Sequence, residues 1–263
     1  MSMRTRFLDS MTNAEVTDYL ARNDIIFLPV GTIEMHGEMP LGCEHVLPLA
    51  VASRLAEAVD GLVLPGLVYF YPGATAVGRG TIQISPGEGA AYLKAICRSL
   101  LRQGFRRQIL LSYHGPAYTT VAPMVREFFD ETKCPIVYID LEEHQGGDGS
   151  WEQFNKMLWG AYHLLGRLDE IPRDQQTGSR SRPPRMLQGR FHYGCYYSQA
   201  SDHGWWPERS LTEEERLARA QEGAAMIGAL AERLNPRQLV AGMKEMDEYI
   251  QSEVLPKHGP HLP

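Results

Sequence analysis

Residues 25–37 read IIFLPVGTIEMHG, an apolar run that gives way abruptly to a glutamate and a histidine. A short continuous apolar run that ends at a glycine is typical of a strand buried on both faces of a sheet. Upstream, Thr12 and Glu15 have the spacing of a capping box, which predicts a helix before this strand. The stretch therefore predicts a buried first strand, with Glu34 and His36 just beyond its carboxyl end.

The rest of the chain alternates between strand-like and helix-like segments. Ser85, Pro86 and Glu88 supply a cap, a proline at the first helical position and a capping-box acid, which predict a helix up to Gly104. The other predicted strands cover residues 62–70, 108–113 and 135–141, and the other predicted helices cover residues 49–59, 120–131, 212–235 and 238–250. This alternation favours a single α/β domain, residues 1–263, with three α/β/α layers around a mostly parallel sheet.

Composition narrows the class of protein. The chain carries 26 basic and 32 acidic residues, a formal net charge of −6, and has no basic cluster large enough to bind nucleic acid. Neither a signal peptide nor an apolar stretch of the roughly 18–20 residues that span a bilayer is present, so we expect no membrane contact. The four cysteines are widely spaced, which indicates ordinary thiols and a cytoplasmic protein. We expect residues 173–210 to form an exposed loop or arm.

Possible metal ligands collect where three predicted strands end. Parallel strands bring their carboxyl ends to one edge of a sheet, where ligands bind. Carboxylates and imidazoles without a thiolate pair suit a catalytic Zn²⁺, Mn²⁺ or Fe²⁺ site. A lone Glu-x-His pair is usually a solvated acid beside a hydrogen-bonded histidine, but three such clusters favour a metal. The clusters are Glu34, His36, Glu44 and His45; His114; and Glu142, Glu143, His144 and Asp148.

The run from Leu28 to Gly37, followed by Pro40-Leu41-Gly42, resembles the signature of the creatininase (creatinine amidohydrolase) family. The likeness covers residues 25–150 and continues in order through Gly80-Thr81-Ile82, Ser112-Tyr113-His114-Gly115 and Glu143-His144. The resemblance implies a three-layer α/β fold, two divalent metals, usually zinc or manganese, and a metal-activated water that attacks a cyclic amide or a related group. It also implies a homo-oligomer, a hexamer in this family.

Carried over residue by residue, the resemblance implies Glu34, His36 and His114 as metal ligands. Glu44 stands where the family usually has an aspartate that bridges both metals. The turn before it is one residue shorter than the family pattern, and the longer glutamate side chain could offset this. We therefore prefer Glu44 at this position, with His45 as the alternative.

The second metal lacks one family ligand, because Pro116 stands where some members have a glutamate. A carboxylate from elsewhere would have to replace it, with Glu143 as the first choice and Asp148 as the second. If neither serves, the site holds one ion. Glu143 or His144 would also transfer a proton to the leaving group, although a hydrogen bond at a helix start is an equal alternative for His144.

We expect a small-molecule substrate, with Tyr71, Arg79, Asp148 and Trp205 in contact with it. For Tyr71 a place in the core is the alternative, and the aromatic residues near His203 could form a lid or a subunit contact. The expected function is a hydrolase that opens a cyclic amide, or breaks a C–C bond of a cyclic polyol ketone such as a dehydro-inosose. The alternatives are a metal-dependent isomerase or lyase on a sugar-like ketone, and a non-catalytic binding protein.

Overall fold

Four parallel strands form the centre of the fold in the computed structural model, which describes residues 3–173, 196–197, 203–204 and 209–263. The strands are β1 (Ile25–Pro29), β2 (Leu62–Val63), β3 (Arg107–Ser112) and β4 (Val137–Asp140). Their order across the sheet is β2-β1-β3-β4, and Phe27 of β1 is in register with Val63 on one side and Ile109 on the other. The predicted parallel sheet is confirmed.

Helices cover both faces of this sheet. Because successive strand residues point to opposite faces, Ile26 and Leu28 pack into a core with α1, α3 and α4, whereas Ile25 and Phe27 pack into a core with α2, α6, α7 and α8. The predicted three-layer α/β/α architecture is therefore confirmed. The helices are α1 (Asn13–Leu20), α2 (Cys43–Val59), α3 (Pro86–Gln103), α4 (Tyr118–Thr132), α5 (Leu141–His144), α6 (Trp151–Leu164), α7 (Glu213–Arg233), α8 (Pro236–Tyr249) and α9 (Leu255–His258).

Three helices begin at the capping boxes that the sequence predicts. At the start of α3, Ser85 Oγ accepts a hydrogen bond from the Glu88 amide at 3.3 Å, and the Glu88 carboxylate accepts one from the Ser85 amide at 3.1 Å. Thr12 begins α1 and Thr212 begins α7 in the same way. Each cap satisfies amide groups that have no partner within the helix, which is worth about 1 kcal/mol.

Two predicted boundaries are wrong, and both concern the surroundings of the predicted site. The helix expected from residue 49 begins at Cys43 instead. Its interior includes Pro48, and the helix lacks one backbone hydrogen bond there because proline has no N–H to donate. The strand expected over residues 62–70 ends at Val63, since the chain turns away at Pro65 and Gly66, the latter with φ +87°. The longer α2 places Glu44 in its first turn.

The backbones of α6 and α7 cross at unusually close range. A Cβ added to Gly223 would lie 1.7 Å from the carbonyl oxygen of Lys156, and one added to Gly160 would lie 2.1 Å from the carbonyl carbon of Gly223. Only residues without a side chain fit at this crossing. The contact fixes the position of α6, a helix that our sequence analysis did not predict.

Within the described residues, no helix is long and apolar enough to cross a membrane. Cys43, Cys97 and Cys134 are free thiols in the core, as predicted, and Cys195 lies outside the described residues. The arm predicted for residues 173–210 also lies almost entirely outside the described residues.

Candidate metal centre

Four of the predicted metal ligands meet at the carboxyl edge of the sheet. Glu34 and His36 lie in the extended segment after β1, His114 follows β3, and Glu44 comes from the first turn of α2. All four side chains are buried, with residue exposures of 4% or less. Burying charge costs free energy unless a partner compensates it, so these groups require one another or an ion.

Glu34, Glu44 and His114 form a first group in which one ligand atom from each residue lies within 4.8 Å of the others. His114 Nε2 is 3.3 Å from Glu34 Oε2. The same carboxylate oxygen lies 2.8 Å from the hydroxyl of Thr75, which donates a hydrogen bond to it. This arrangement holds two carboxylates and one imidazole in place, a ligand set that suits a divalent ion.

His36, Glu44 and His203 form a second group that meets the same distance limit. His36 Nε2 lies 3.2 Å from Glu44 Oε1. Apart from that contact, no hydrogen bond of good geometry reaches either ring nitrogen of His36 or Oε2 of Glu44 from the described residues, although all three atoms are buried. Buried polar atoms without partners are rare in folded proteins, and a metal ion would satisfy these. Glu44 belongs to both groups.

The buried carboxylates favour the protonated, positively charged form of His114. Burial alone would lower the pKa of His114, but the carboxylates of Glu34, Glu44 and Glu142 together outweigh burial and raise this pKa to about 9, with Glu34 contributing most among them. His114 therefore carries a proton at neutral pH in the metal-free protein. A divalent ion would replace that proton as the positive partner of Glu34, so metal binding releases a proton here.

A cavity of about 310 Å³ opens in front of the first group. Aromatic rings and two prolines provide its walls, and three carboxylates and two imidazoles provide its polar groups. The size and the mixture of flat apolar walls with a few convergent polar groups are typical of a small-molecule site. The described lining residues are Glu34, Glu44, Pro72, Ala74, Thr75, Tyr113, His114, Gly115, Pro116, Glu142, Gln145, Gly149, Ser150, Trp151, Phe154, Tyr197 and His203.

Glu142, rather than the predicted Glu143, is the third carboxylate of the cavity. Adjacent residues on a helix point about 100° apart, so on the single turn of α5 only Glu142 reaches the cavity, although it is exposed like its neighbours Glu143 and His144. Neither residue belongs to a metal group or lines the cavity among the described residues. Desolvation in the cavity, together with the Glu44 and Asp140 carboxylates, raises the pKa of Glu142 to about 7.

Three of the predicted substrate contacts, Tyr71, Arg79 and Asp148, are described, and none of them is among the described residues that line the cavity. Tyr71 and Arg79 are absent from its described lining, although Tyr71 directly precedes the lining residue Pro72. Asp148 is exposed, and its Oδ1 accepts a hydrogen bond from the Ser150 amide at 2.9 Å, so it shapes the turn before α6. It is not part of either metal group. Trp205 lies outside the described residues.

Other residues reach the centre without having been predicted there. The sequence predicts His203 only as part of an aromatic segment. Its position beside His36 depends on a contact between segments far apart in the chain, which no local pattern shows. Trp151 and Phe154 reach the cavity from α6, where Ser150 accepts a hydrogen bond from the Gln153 amide. Ser150, a residue type that often caps helices, is the sequence signal that predicts the start of α6. His45, the alternative to Glu44, is buried but belongs to neither metal group.

The fold and the centre define a class: α/β proteins with buried carboxylates and imidazoles at the carboxyl edge of a parallel sheet. Residues 9–235 match the family described as creatinine amidohydrolase, and the chain belongs to this creatininase family.

Two relatives show how far the likeness in sequence extends. The creatinine amidohydrolase of Pseudomonas putida is 34% identical over 115 residues, which cover 41% of this chain and 44% of that protein. The 3-dehydro-scyllo-inosose hydrolase of Thermotoga maritima is 28% identical over 138 residues, covering 51% of this chain and 44% of that protein. Each match thus spans less than half of the relative's length.

Solved structures agree in fold over nearly the whole chain. A mutant creatininase complexed with creatine has a TM-score of 0.67 at 18% identity and covers 95% of this chain and 99% of that one. A creatininase described as the Mn form also has a TM-score of 0.67, at 18% identity, with 94% of this chain and 98% of that one covered. A mutant creatininase of the Zn-Zn type has a TM-score of 0.61 at 20% identity, over 88% and 98%.

Proposed function

We propose that the protein is a metal-dependent hydrolase that opens a small polar ring. The observation that carries the proposal is the buried group of Glu34, Glu44 and His114 at the base of a cavity large enough for such a ring. Buried acids without a cation are costly, and the site faces the cavity rather than the core. A divalent ion here, zinc or manganese as in the structures named above, would lower the pKa of water to about 7 and polarise the bond under attack.

The substrate we propose is a neutral ring, because no lysine or arginine is among the described residues that line the cavity. The glutamates there would offset the charge of a bound divalent ion, and no lysine or arginine would remain to bind a carboxylate or phosphate substrate. The two relatives act on rings of different chemistry, as their names state. We therefore retain both a cyclic amide, with cleavage of a C–N bond, and a cyclic polyol ketone, with cleavage of a C–C bond.

Glu142 is the residue that we propose for proton transfer, in place of Glu143 and His144. In either reaction the oxygen of water adds to the carbonyl carbon, the ring bond breaks, and a proton must reach the departing nitrogen or carbon. Glu142 lines the cavity, and a pKa of about 7 lets it accept and donate a proton near neutral pH. The rings of Trp151, Phe154 and Tyr197 line the same cavity and give it apolar walls.

The proposal is tested with purified protein loaded with Zn²⁺ or Mn²⁺ and a panel of cyclic amides and inososes in water enriched in ¹⁸O. We expect one class of ring to open with one ¹⁸O atom in the product. Glu34→Gln should abolish this activity, whereas His258→Ala, an exposed position on α9, should retain it. A product without ¹⁸O would support the isomerase or lyase alternative. Metal binding without turnover of any ring would support a binding protein.

We also propose a cytoplasmic homo-oligomer. Large apolar side chains are exposed, including Tyr69 at 48%, Val77 at 51% and Tyr92 at 47%, and the three described cysteines are unpaired thiols. A contact between copies of the chain would cover such apolar groups. Light scattering that gave the mass of a monomer would contradict the oligomer.

A further inference from the structure

The second group of side chains departs from the sequence pattern around β3. The position two residues after His114 is Pro116, which has no ligand atom in its side chain. The structure nevertheless surrounds the position beside His36 with polar atoms, because the chain returns from beyond α6 and brings His203 to it. The ligand atoms of His36, Glu44 and His203 all lie within 4.8 Å of one another.

The two imidazoles of this group are held against each other. Their ring centroids are 5.0 Å apart with the planes at 78°, an edge-to-face arrangement rather than a stack. Only 12% of the His203 side chain is exposed. The ring of Tyr197 stacks on the outer side of His203 at a centroid distance of 5.2 Å. His203 is thus enclosed between the metal centre and an aromatic ring.

Gly204 fixes the backbone of this segment on the backbone of the ligand segment. Its φ is +95°, and a Cβ at this position would lie 2.1 Å from both the amide nitrogen of Gly37 and the carbonyl carbon of His36. Such a distance is far below van der Waals contact, so only glycine fits. His203 therefore lies next to His36 because of a contact between two backbones, and its position does not depend on ring packing alone.

From this geometry we propose that His203 is a protein ligand of a second divalent ion, which it holds together with His36 and Glu44. The proposal rests on the proposed function in one respect, that the centre binds divalent metal. Two imidazoles and a carboxylate are a ligand set suited to zinc. Glu44, which belongs to both groups, would connect the two ions. The segment of His203 and Gly204 would then be joined to the sheet by coordination as well as by packing.

A rival role for His203 also has support in the structure. Its Nε2 lies 3.8 Å from Glu34 Oε1, so His203 could instead pair with Glu34 in the first group and bind no metal. The number of ions bound per chain separates the two roles, because only a ligand takes an ion with it when it is removed.

The test measures zinc per chain by mass spectrometry after equilibrium dialysis at fixed free zinc. We expect two zinc ions in the wild-type protein, one in His203→Ala, and two in His258→Ala. Gly204→Ala should also lose one ion, because a methyl group there displaces His203. Gly66→Ala is the matched control, since Gly66 also has a positive φ, +87°, but nothing lies within 4 Å of its Cβ position. Circular dichroism checks that each variant is folded.

One zinc ion in the wild-type protein, or two in His203→Ala, would overturn the proposal. If His203→Ala does not fold, Gly204→Ala provides the same comparison. The outcome is independent of catalysis. Two ions in the wild type and one in the variant, without hydrolysis of any ring, would uphold His203 as a ligand and contradict the proposed function. Ring hydrolysis by a His203→Ala protein that retains two ions would uphold the proposed function and contradict His203 as a ligand.

Discussion

The hydroxyl of Thr75 lies 2.8 Å from Oε2 of Glu34, and both side chains are buried. The same hydroxyl is also 2.8 Å from the carbonyl oxygen of Pro72, so its single proton is shared between two acceptors. Thr75 thereby orients a carboxylate that faces the cavity, although Thr75 itself belongs to neither group of possible metal ligands.

Thr75→Val keeps the shape of the side chain and removes this hydrogen bond. We expect zinc affinity to fall about 10–100-fold, the range for loss of a group that orients a metal ligand. Competition with a fluorescent chelator measures this affinity. Thr17→Val is the control, because the Thr17 hydroxyl bonds only to the Asn13 carbonyl within α1 in the described structure. Equal affinity in Thr75→Val and the wild type would show that the contact does not orient Glu34.

Glu44→Gln removes the charge that the two groups of ligands share. We expect both ions to be lost. The decrease in zinc affinity should exceed the roughly 10–100-fold that follows from loss of a residue that only orients a ligand. Metal analysis after dialysis distinguishes this result from the single ion retained by His203→Ala. Glu57→Gln, an exposed glutamate on the same helix, should bind metal as the wild type does. A Glu44→Gln protein that retains one ion would show that Glu44 does not bridge.

Glu142→Gln should change how the stability of the metal-free protein depends on pH. The pKa of Glu142 is raised from 4.5 to about 7 by burial and by neighbouring carboxylates, so the folded protein binds the proton more tightly than the unfolded chain does. Stability is therefore lost as pH rises from about 4.5 to about 7, and glutamine avoids this loss.

The melting temperature of Glu142→Gln, minus that of the wild type, should be near zero at pH 4 and reach a positive plateau above pH 8. Glu143→Gln, on the exposed side of α5, controls for the loss of a nearby charge. A difference in melting temperature that does not vary with pH would contradict the perturbed ionisation of Glu142.

Gly223→Ala should destabilise the fold through the crossing of α6 and α7. The new methyl group would meet the Lys156 carbonyl at 1.7 Å, and overpacking of this kind costs about 1–3 kcal/mol. Gly228→Ala lies on the same helix with nothing within 4 Å of its Cβ position, so it should stabilise by up to about 1 kcal/mol. Urea unfolding measures both. Equal effects of the two substitutions would mean that the crossing is not tightly packed.

Local sequence patterns predicted most of the fold. The apolar run of β1 and the capping boxes at Thr12, Ser85 and Thr212 depend on neighbouring residues alone, and the structure has them as predicted. The predicted start of α2 was wrong, because α2 continues through Pro48 to Cys43 where it packs against α6 and the sheet, and no local pattern shows that packing.

The residues of the metal centre likewise fall into those that local sequence patterns predict and those that depend on the packing of distant segments. Glu34, His36 and His114 follow predicted strands, and parallel strands must bring their carboxyl ends together, so the sequence placed these residues near one another. The choice between Glu142 and Glu143 depends on the rotation of a one-turn helix, which no periodic pattern defines. His203 required a contact between segments far apart in the chain, at Gly204 and Gly37.

The glycine crossing of α6 and α7 has a consequence for which molecules can enter the cavity. The first turn of α6 carries Trp151 and Phe154, which form one wall, and Gly160 lies roughly 9 Å beyond Phe154 and roughly 13 Å beyond Trp151 along the helix axis. A helix moves as a rigid rod over that distance, so the separation of two backbones at the crossing sets where the wall stands. The position of this wall, and so the room within the cavity, is thus set outside the cavity, at Gly160 and Gly223, which do not line it.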